Sequence, residues 1–269
     1  MRQQVGYWFR ATGMMVRDPR HGLERVRGRI DRRGDARAFR RCGVPIDRLY
    51  PIDRDWLRHL HEAMGWQWPC PLSAQGQRLR ADVMTMFAAR GLPERYHNWC
   101  DGGEAFALAA WCLSAHLKPR TVVETGVARG VTSRLVLEAL AQNDGGSLFS
   151  IDLLPLDSRY HAQAGIAVPE HLHANWTVLE GSSRHRLPTL LGELGRIDLF
   201  IHDSLHTGRN TSFELDHAWR RLRPAGALLV DDVYQSLAFH TFTDTVPLHW
   251  SSVGANPDGS YRFGIAIRP

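Results

Sequence analysis

The segments "IDLFIHDSLH" and "LLVDDV" each run through apolar residues and finish on acid, Asp203 after the first and Asp231 and Asp232 after the second. If both runs are neighbouring parallel strands, their carboxyl ends lie side by side and three carboxylates share a small volume. Like charges that close repel one another or take up protons. A hard divalent cation relieves the repulsion, and oxygen donors with room left for water and substrate oxygens suit Mg²⁺. His206, three residues beyond Asp203, adds an imidazole, a reasonable general base near neutral pH. Each residue also has a plainer role open to it. Asp231 and Asp232 can cap a following helix, and His206 can simply start one. His202 points to the opposite side of its strand from Asp203 and reads as a packed or surface histidine.

A second constellation lies earlier, in "VVETGVARG". Glu124 ends a buried-looking strand. Gly126 permits a tight turn with unusual backbone angles, and Gly130 lets the next helix begin close to the strand and to a ligand. In a doubly wound sheet this is where ligands sit, beyond the carboxyl ends of the strands. Asp152 closes the next strand, "SLFSID", 28 residues after Glu124, where a carboxylate accepts ribose hydroxyls. The spacing does not complete the G-x-G-x-x-G dinucleotide fingerprint, which disfavours a nucleotide-dependent reductase. So does the single lysine, Lys118, which precedes the first strand and rules out a Tyr-x-x-x-Lys pair.

The elements that must position these residues alternate regularly from about residue 104. Strands "TVVE", "SLFSID", "WTVLE", "IDLFIHD" and "GALLVDD" are separated by helices "SRLVLEALAQ", "RHRLPTLLGEL" and "TSFELDHAWRRLR", with "EAFALAAWCLSAHL" as a helix in front. Thr132 or Ser133 is the expected cap of "SRLVLEALAQ". The pattern predicts an α/β, doubly wound, mostly parallel sheet covered on both faces. "FTDTVPLHWSSV" and "YRFGIAIRP", joined by the turn "ANPDGS", read as a closing strand pair with an antiparallel edge. The segment 153–175 is long for a loop in a compact unit and carries Tyr160, His161, His171 and His173, as a lid or a surface excursion. Ahead of the alternation, "IDRDWLRHLHEAMGW" and "RADVMTMFAARG" read as helices. The chain therefore divides into an Arg-rich, α-rich region over 1–100 and a cofactor-binding domain over 101–269. Trp66, Trp68 and Trp99 either line an acceptor pocket or belong to the core.

"VVETGVARG" with "SID" resembles the first motif and its successor in class I S-adenosylmethionine-dependent methyltransferases. The resemblance covers residues 104–269 and implies a seven-stranded Rossmann-like sheet. It implies that Glu124, Gly126 and Gly130 hold the methionine end of S-adenosylmethionine and that Asp152 binds its ribose. "LEGSSRH" resembles the family's segment beside the adenine, which places Gly181, Ser182, Ser183 and Arg184 at that ring. The Asp203 and Asp231–Asp232 spacing is similar to metal-dependent O-methyltransferases of the catechol type and to related bacterial sugar O-methyltransferases. That likeness implies Mg²⁺ held by Asp203, Asp231 and Asp232, with His206 where the catechol enzymes place a lysine base. The catechol enzymes carry an amide at the position of Asp232 and the sugar enzymes an acid, which favours a sugar-like or polyol acceptor.

Composition sets the remaining bounds. With 269 residues, 43% of them hydrophobic, the chain buries a substantial core without staples. Residues 1–41 hold twelve arginines against Asp18, Glu24, Asp31 and Asp35, a balance of 12 − 4 = +8, so the rest carries 5 − 8 = −3 of the net +5. The basic segment offers a contact to anionic lipid, nucleic acid or a partner. A solvated, partly helical extension is the plainer reading, and no nucleic-acid partner is assigned. The four cysteines are widely spaced with no Cys-x-x-Cys pair, so the sequence indicates neither a zinc site nor a disulfide framework, and a cytoplasmic setting is expected. The expected activity is transfer of a methyl group to a hydroxyl of a small molecule or glycoconjugate, with a homo-oligomer compatible. The competing reading is a cofactor-fold binding module, or a hydroxylase-like relative, recruited through the basic segment.

Overall fold

The computed structural model describes residues 19–93, 96 and 103–269. Its centre is a seven-stranded sheet of β1 (Thr121–Thr125), β2 (Ser147–Asp152), β3 (Trp176–Glu180), β4 (Ile197–His202), β5 (Leu222–Val230), β6 (Trp250–Gly254) and β7 (Phe263–Ile267). The order is β3-β2-β1-β4-β5-β7-β6. Strands β1 to β5 pair in parallel, and β7 runs antiparallel to both β5 and β6. The chain reverses direction between β3 and β4, so the gap between β1 and β4 is the switch point at which doubly wound sheets bind ligands.

The apolar strand sequences follow from burial on both faces. One face of the sheet (Val122, Leu148, Leu199, Ile201, Ala227, Leu229) packs on α5 (Glu104–Leu117) and α6 (Val131–Gln142) through Phe106, Leu113, Val136 and Leu140. The other face (Val123, Ile151, Phe200, Leu228, Val230) packs on α7 (Ser183–Leu194), α8 (Gly208–Arg221) and α9 (Ala238–Thr245) through Leu187, Leu191, Leu215 and Phe242. Buried polar residues interrupt this pattern near the carboxyl ends of β1 (Glu124, Thr125), β2 (Ser150) and β4 (His202).

Three corrections concern local structure. The left-handed residue Gly130, φ +82°, caps α6, and Thr132 and Ser133 lie inside its first turn. The segment 238–245 is helical, so the strand expected from "FTDTVPLHWSSV" shrinks to Trp250–Gly254. The expected helix at "RADVMTMFAARG" begins seven residues earlier, as α4 (Ser73–Ala89). It presses so closely on α5 that a Cβ at Gly76 would stand 2.4 Å from Trp111 Cδ1.

Residues 19–42 have no apolar period, yet they form one helix, α1 (Pro19–Cys42), followed by the short α2 (Ile46–Leu49) and by α3 (Trp56–Met64). Helix α1 lies across the carboxyl edge of the sheet. The Arg25 guanidinium donates to the carbonyls of Leu153 and Leu154, just past β2. Gly28 packs on Leu205, and Asp35 accepts from the amide of Gly208 at 3.0 Å, both just past β4. The outer side of α1 presents Arg33, Arg37, Arg40 and Arg41 to solvent. Among the described residues no helix is long and apolar enough to cross a membrane.

Candidate active site

The parallel ladder continues one rung past each strand, and this alignment assembles the site. The Gly126 amide donates to the Ile151 carbonyl, the Asp203 amide to Thr125 and the Asp231 amide to His202, each at 2.8 Å. The residues that follow β1, β4 and β5 are thereby locked side by side. Gly126 must be glycine for this: at φ +88° a Cβ would sit 1.9 Å from the Asp203 carbonyl oxygen.

Asp203, His206 and Asp231 each offer one ligand atom, all within 4.8 Å of one another. Asp232 borders this group. His206 Nε2 lies 3.7 Å from Asp203 Oδ1 and 3.9 Å from Asp232 Oδ2. Asp232 adopts the left-handed region at φ +50°, a costly conformation for a residue with a side chain, and its Oδ2 accepts from Gln235. Burial raises Asp203 and Asp231 well above the usual carboxylate range. Their neighbours add to this, Asp231 and Asp232 acting on Asp203, and Asp232 on Asp231. Burial likewise raises Asp232, against hydrogen bonds from Tyr234 and Gln235. Burial and the neighbouring His202 hold His206 below its ordinary range, so its ring is neutral. Asp203 and His206 keep 25% and 19% of their side chains open, a path for water or an ion. Asp231 Oδ1, Asp232 Oδ1 and His206 Nδ1 are buried without a partner. Carboxylates crowded to the point of holding protons, with unfilled acceptor positions, are a donor set that fits a divalent cation.

Beneath the group lies a knot that the sequence did not announce. Glu214, on α8, is fully buried and accepts from Thr125 (2.6 Å), His202 Nδ1 (2.6 Å), Ser204 (2.8 Å) and Asn210 (2.8 Å). Burial alone would push Glu214 up, but His202 and the hydroxyl donors outweigh it and leave the carboxyl at about 2. His202 is sealed as well, with Thr211 at 3.1 Å from Nε2 and the His206 ring edge-on at a centroid distance of 5.4 Å. It is a packed histidine, and its partner carboxylate fixes the ends of β1 and β4.

The cofactor end is built on β1 and β2. Glu124 is fully buried, with Oε2 accepting from Ser133 (2.6 Å) and Ser150 (2.7 Å) and Oε1 left without a partner. Burial pushes it up to about 7 against those two hydroxyls. Asp152 stands over the glycine loop. Burial raises it to about 6, against the backbone amides of Leu153, Ala128 and Val127. Ala128 is left-handed, φ +48°, between Gly126 and Gly130. The segment 153–175 forms two 3₁₀ turns and lies on this loop, with the Gly165 and Ala167 amides donating to Ala128 and Arg129 at 2.9 Å. Arg129, buried, donates to Gln163 at 3.1 Å and lies over the rings of Phe87 and Tyr96. Gly181 donates to the Asp152 carbonyl at 2.8 Å, which brings the start of α7 beside it. There Ser182 pairs with His185 at 2.7 Å, Ser183 faces Asn210 at 3.5 Å, and Arg184 donates to the Arg209 carbonyl at 2.7 Å and lies 4.0 Å from Glu24 of α1. All the residues expected at the site thus meet one edge of the sheet.

Trp66 and Trp68 do not. They pack on His116 and His61, beside the last turn of α5, which leads into the start of β1 at the amino edge. Trp99 lies outside the described residues. A shallow cleft of about 360 Å³, lined by Tyr50, Asp53, His240 and Ser252, lies beside β6 at the margin of the sheet and includes none of the expected site residues.

Residues 123–233 match the family model described as a methyltransferase domain. No curated protein matches the chain significantly. Solved structures share the fold at low identity. An O-methyltransferase from Bacillus cereus in complex with S-adenosylhomocysteine aligns at 14% identity and a TM-score of 0.53, over 71% of this chain and 91% of that one. The Streptomyces achromogenes O-methyltransferase TomG, involved in tomaymycin synthesis and solved with S-adenosylmethionine, gives 15% and 0.54, over 71% and 89%. A methyltransferase from Geobacter sulfurreducens gives 14% and 0.52, over 71% and 90%.

Glu214→Ala should cost about 3–5 kcal/mol in denaturant unfolding, because it strands His202 without its buried partner. A loss below about 1 kcal/mol, the scale of an exposed pair, would show that the knot is not a support. The raised carboxyls set a pH dependence. A carboxyl raised on folding stabilises below its unfolded pKa and loses that contribution as pH climbs through its folded value. The depressed His206 works the opposite way, but only below 6.5, its ordinary value. Between 6.5 and about 8 His206 no longer acts and Asp231 titrates. The Asp231 carboxyl alone should therefore withdraw about 1–2 kcal/mol of stability over that interval in the metal-free protein. Asp231→Asn should flatten the decline, and an unchanged slope in that variant would contradict the assignment.

Proposed function

We propose, from a chain that carries a class I S-adenosylmethionine-dependent methyltransferase domain, that the enzyme transfers a methyl group to a hydroxyl oxygen with the help of a divalent cation. The observation that carries this reading is the group of Asp203, Asp231 and His206 at the switch point, next to a glycine loop flanked by Glu124 and Asp152. Asp152 would accept the ribose hydroxyls. Glu124, through its unpartnered Oε1, and the loop from Gly126 to Gly130 would hold the methionine end. Gly181, Ser182, Ser183 and Arg184 would border the adenine. Helix α1 and the segment 153–175 cover part of this edge.

Asp203 and Asp231, with Asp232 at the border, would hold the cation, Mg²⁺ on the oxygen-rich reading. A cation bound there lowers the pKa of a coordinated hydroxyl and fixes its position. His206 Nε2, neutral and 3.7 Å from Asp203, takes the hydroxyl proton. The oxygen then forms its bond to the methyl carbon as the carbon–sulfur bond of the sulfonium breaks. The sulfonium leaves as a thioether and the imidazole keeps the proton. Holding oxygen, carbon and sulfur in line supplies much of the rate. An acid at position 232 favours a sugar-like or polyol acceptor over a catechol.

One observation supports a second role for His206, because a ring nitrogen of it lies inside the donor group. As a ligand it would shift the preference from Mg²⁺ towards a first-row transition metal. Two measurements separate the roles. Transfer from methyl-labelled S-adenosylmethionine to a panel of sugars and phenols should stop in excess chelator, return with Mg²⁺, and fall at least ~100-fold in Asp231→Ala, the scale of a lost positioning and charge-stabilising group. His206→Gln should lose turnover yet keep its metal affinity if His206 is the base, and lose both if it is a ligand. Full turnover in chelator would overturn the metal mechanism. Binding of S-adenosylmethionine with no transfer to any acceptor would favour a binding module.

A further inference from the structure

A second group of ligating side chains lies at the opposite, amino edge of the sheet and plays no part in the methyl-transfer reading. His61 comes from α3, Cys70 from the loop after it, and His116 from the last turn of α5. One ligand atom from each, with all three atoms mutually within 4.8 Å, makes a compact set. Cys112 lies four residues before His116, on the same face of α5. Its Sγ is 3.8 Å from Cys70 Sγ, and Cys70 Sγ is 3.4 Å from His116 Nε2. Ligand bonds of about 2.3 Å to sulfur and about 2.0 Å to nitrogen, spread tetrahedrally, put two sulfurs about 3.8 Å apart and sulfur and nitrogen about 3.5 Å apart. The Cys70–Cys112 and Cys70–His116 separations match a tetrahedral cage, while Cys112 Sγ stands outside the 4.8 Å set formed by the other three. The sulfur–sulfur separation is far from the S–S bond of about 2.05 Å that a disulfide needs.

His61 points to a ligand independently. It is fully buried, and its Nδ1 donates to the Gln67 carbonyl at 2.7 Å. That bond fixes the tautomer and leaves the lone pair on Nε2, which is buried with no partner. A backbone carbonyl that orients one ring nitrogen so that the other faces an ion is the usual support of a metal-binding histidine. The surroundings close the site. The Trp66 ring stacks on His116, with centroids 4.9 Å apart and planes at 21°, and Trp68 packs edge-on to His61. Cys70 and Cys112 are buried, and no carboxylate belongs to the group, so the donor set is all nitrogen and sulfur.

We infer that His61, Cys70, Cys112 and His116 bind a structural Zn²⁺ that fastens α3 and the loop after it to the end of α5. Imidazole with thiolate selects a borderline-soft ion over Mg²⁺, and four protein donors leave no position for substrate. The spacing His61-x8-Cys70 and Cys112-x3-His116 comes from three separate elements, which is why no Cys-x-x-Cys pair marks it. This inference stands whether or not the carboxyl-edge reading holds.

The test uses the full, untagged chain purified in reductant. Elemental analysis should find one equivalent of zinc per chain. After removal with chelator, titration with Co²⁺ should give the visible bands of tetrahedral cobalt with a sulfur-to-metal charge-transfer band in the near ultraviolet. Zn²⁺ should displace both. Cys70→Ser and His61→Asn should abolish the signal, and Cys112→Ser should keep about half of the charge-transfer intensity, since one of two thiolates remains. Asp231→Asn should leave it intact, which separates this site from the other edge. The wild-type titration needs no variant to fold. A cobalt spectrum without a sulfur band, a signal that survives Cys70→Ser, or a Cys70–Cys112 disulfide in the reduced preparation would each overturn the proposal.

Discussion

The buried carboxylate of Glu214 sets the positions of everything at the carboxyl edge. A charge this deep is tolerated only when donors surround it. Its donors come from the end of β1 (Thr125), the end of β4 (His202), the turn after it (Ser204) and its own helix (Asn210). None of these can shift alone without stranding the charge. The turn that carries Asp203 and His206 is therefore held from below. Asp231 is held from the side through the ladder bond of its amide to His202. A fully satisfied polar network of this kind specifies one arrangement, which a site of reacting groups needs.

On that support the protein concentrates negative charge where an uncompensated fold would avoid it. Asp231, Asp232 and Glu124 raise Asp203, and Asp232 raises Asp231. Protons relieve the crowding in the metal-free chain. A bound cation would relieve it and leave the oxygens as ligands, so ion binding and proton release are coupled. Arg25 of α1 meets the same edge near Asp152. The Arg-rich helix thus has a place over the site as well as a basic outer side.

Much of this was legible in the sequence because short apolar runs that finish on acids place those acids at one edge of a parallel sheet. Glu124, Asp152, Asp203 and Asp231 all occupy strand ends, and the parallel sheet brings them together. Glu214 was hidden because "TSFELDHAWRRLR" reads as an ordinary amphipathic helix. The available signal was the i, i+4 series Asn210, Glu214 and Ala218, which places the acid on the buried stripe. Ser133 was read as a helix cap by its position, but its hydroxyl goes to Glu124 instead. "FTDT" misled through its Thr and Phe content, where packing of Phe239 and Phe242 against the sheet decided for helix. Helix α1 has no apolar period because only a few of its residues touch the edge, some by polar contacts. The Cys and His cluster was invisible because its members are far apart in sequence and meet only through α3 and α5.

The central claim is that neighbouring strand ends gather carboxylates around one dication beside the cofactor loop. Anomalous diffraction from a crystal soaked with Mn²⁺ tests it most directly, since manganese substitutes for Mg²⁺ at oxygen sites. The account predicts a peak between Asp203 and Asp231, within about 2.0–2.3 Å of a carboxylate oxygen from each, next to His206. A crystal in which Asp203 and Asp231 stay hydrogen-bonded to each other, with manganese elsewhere or nowhere, would contradict it.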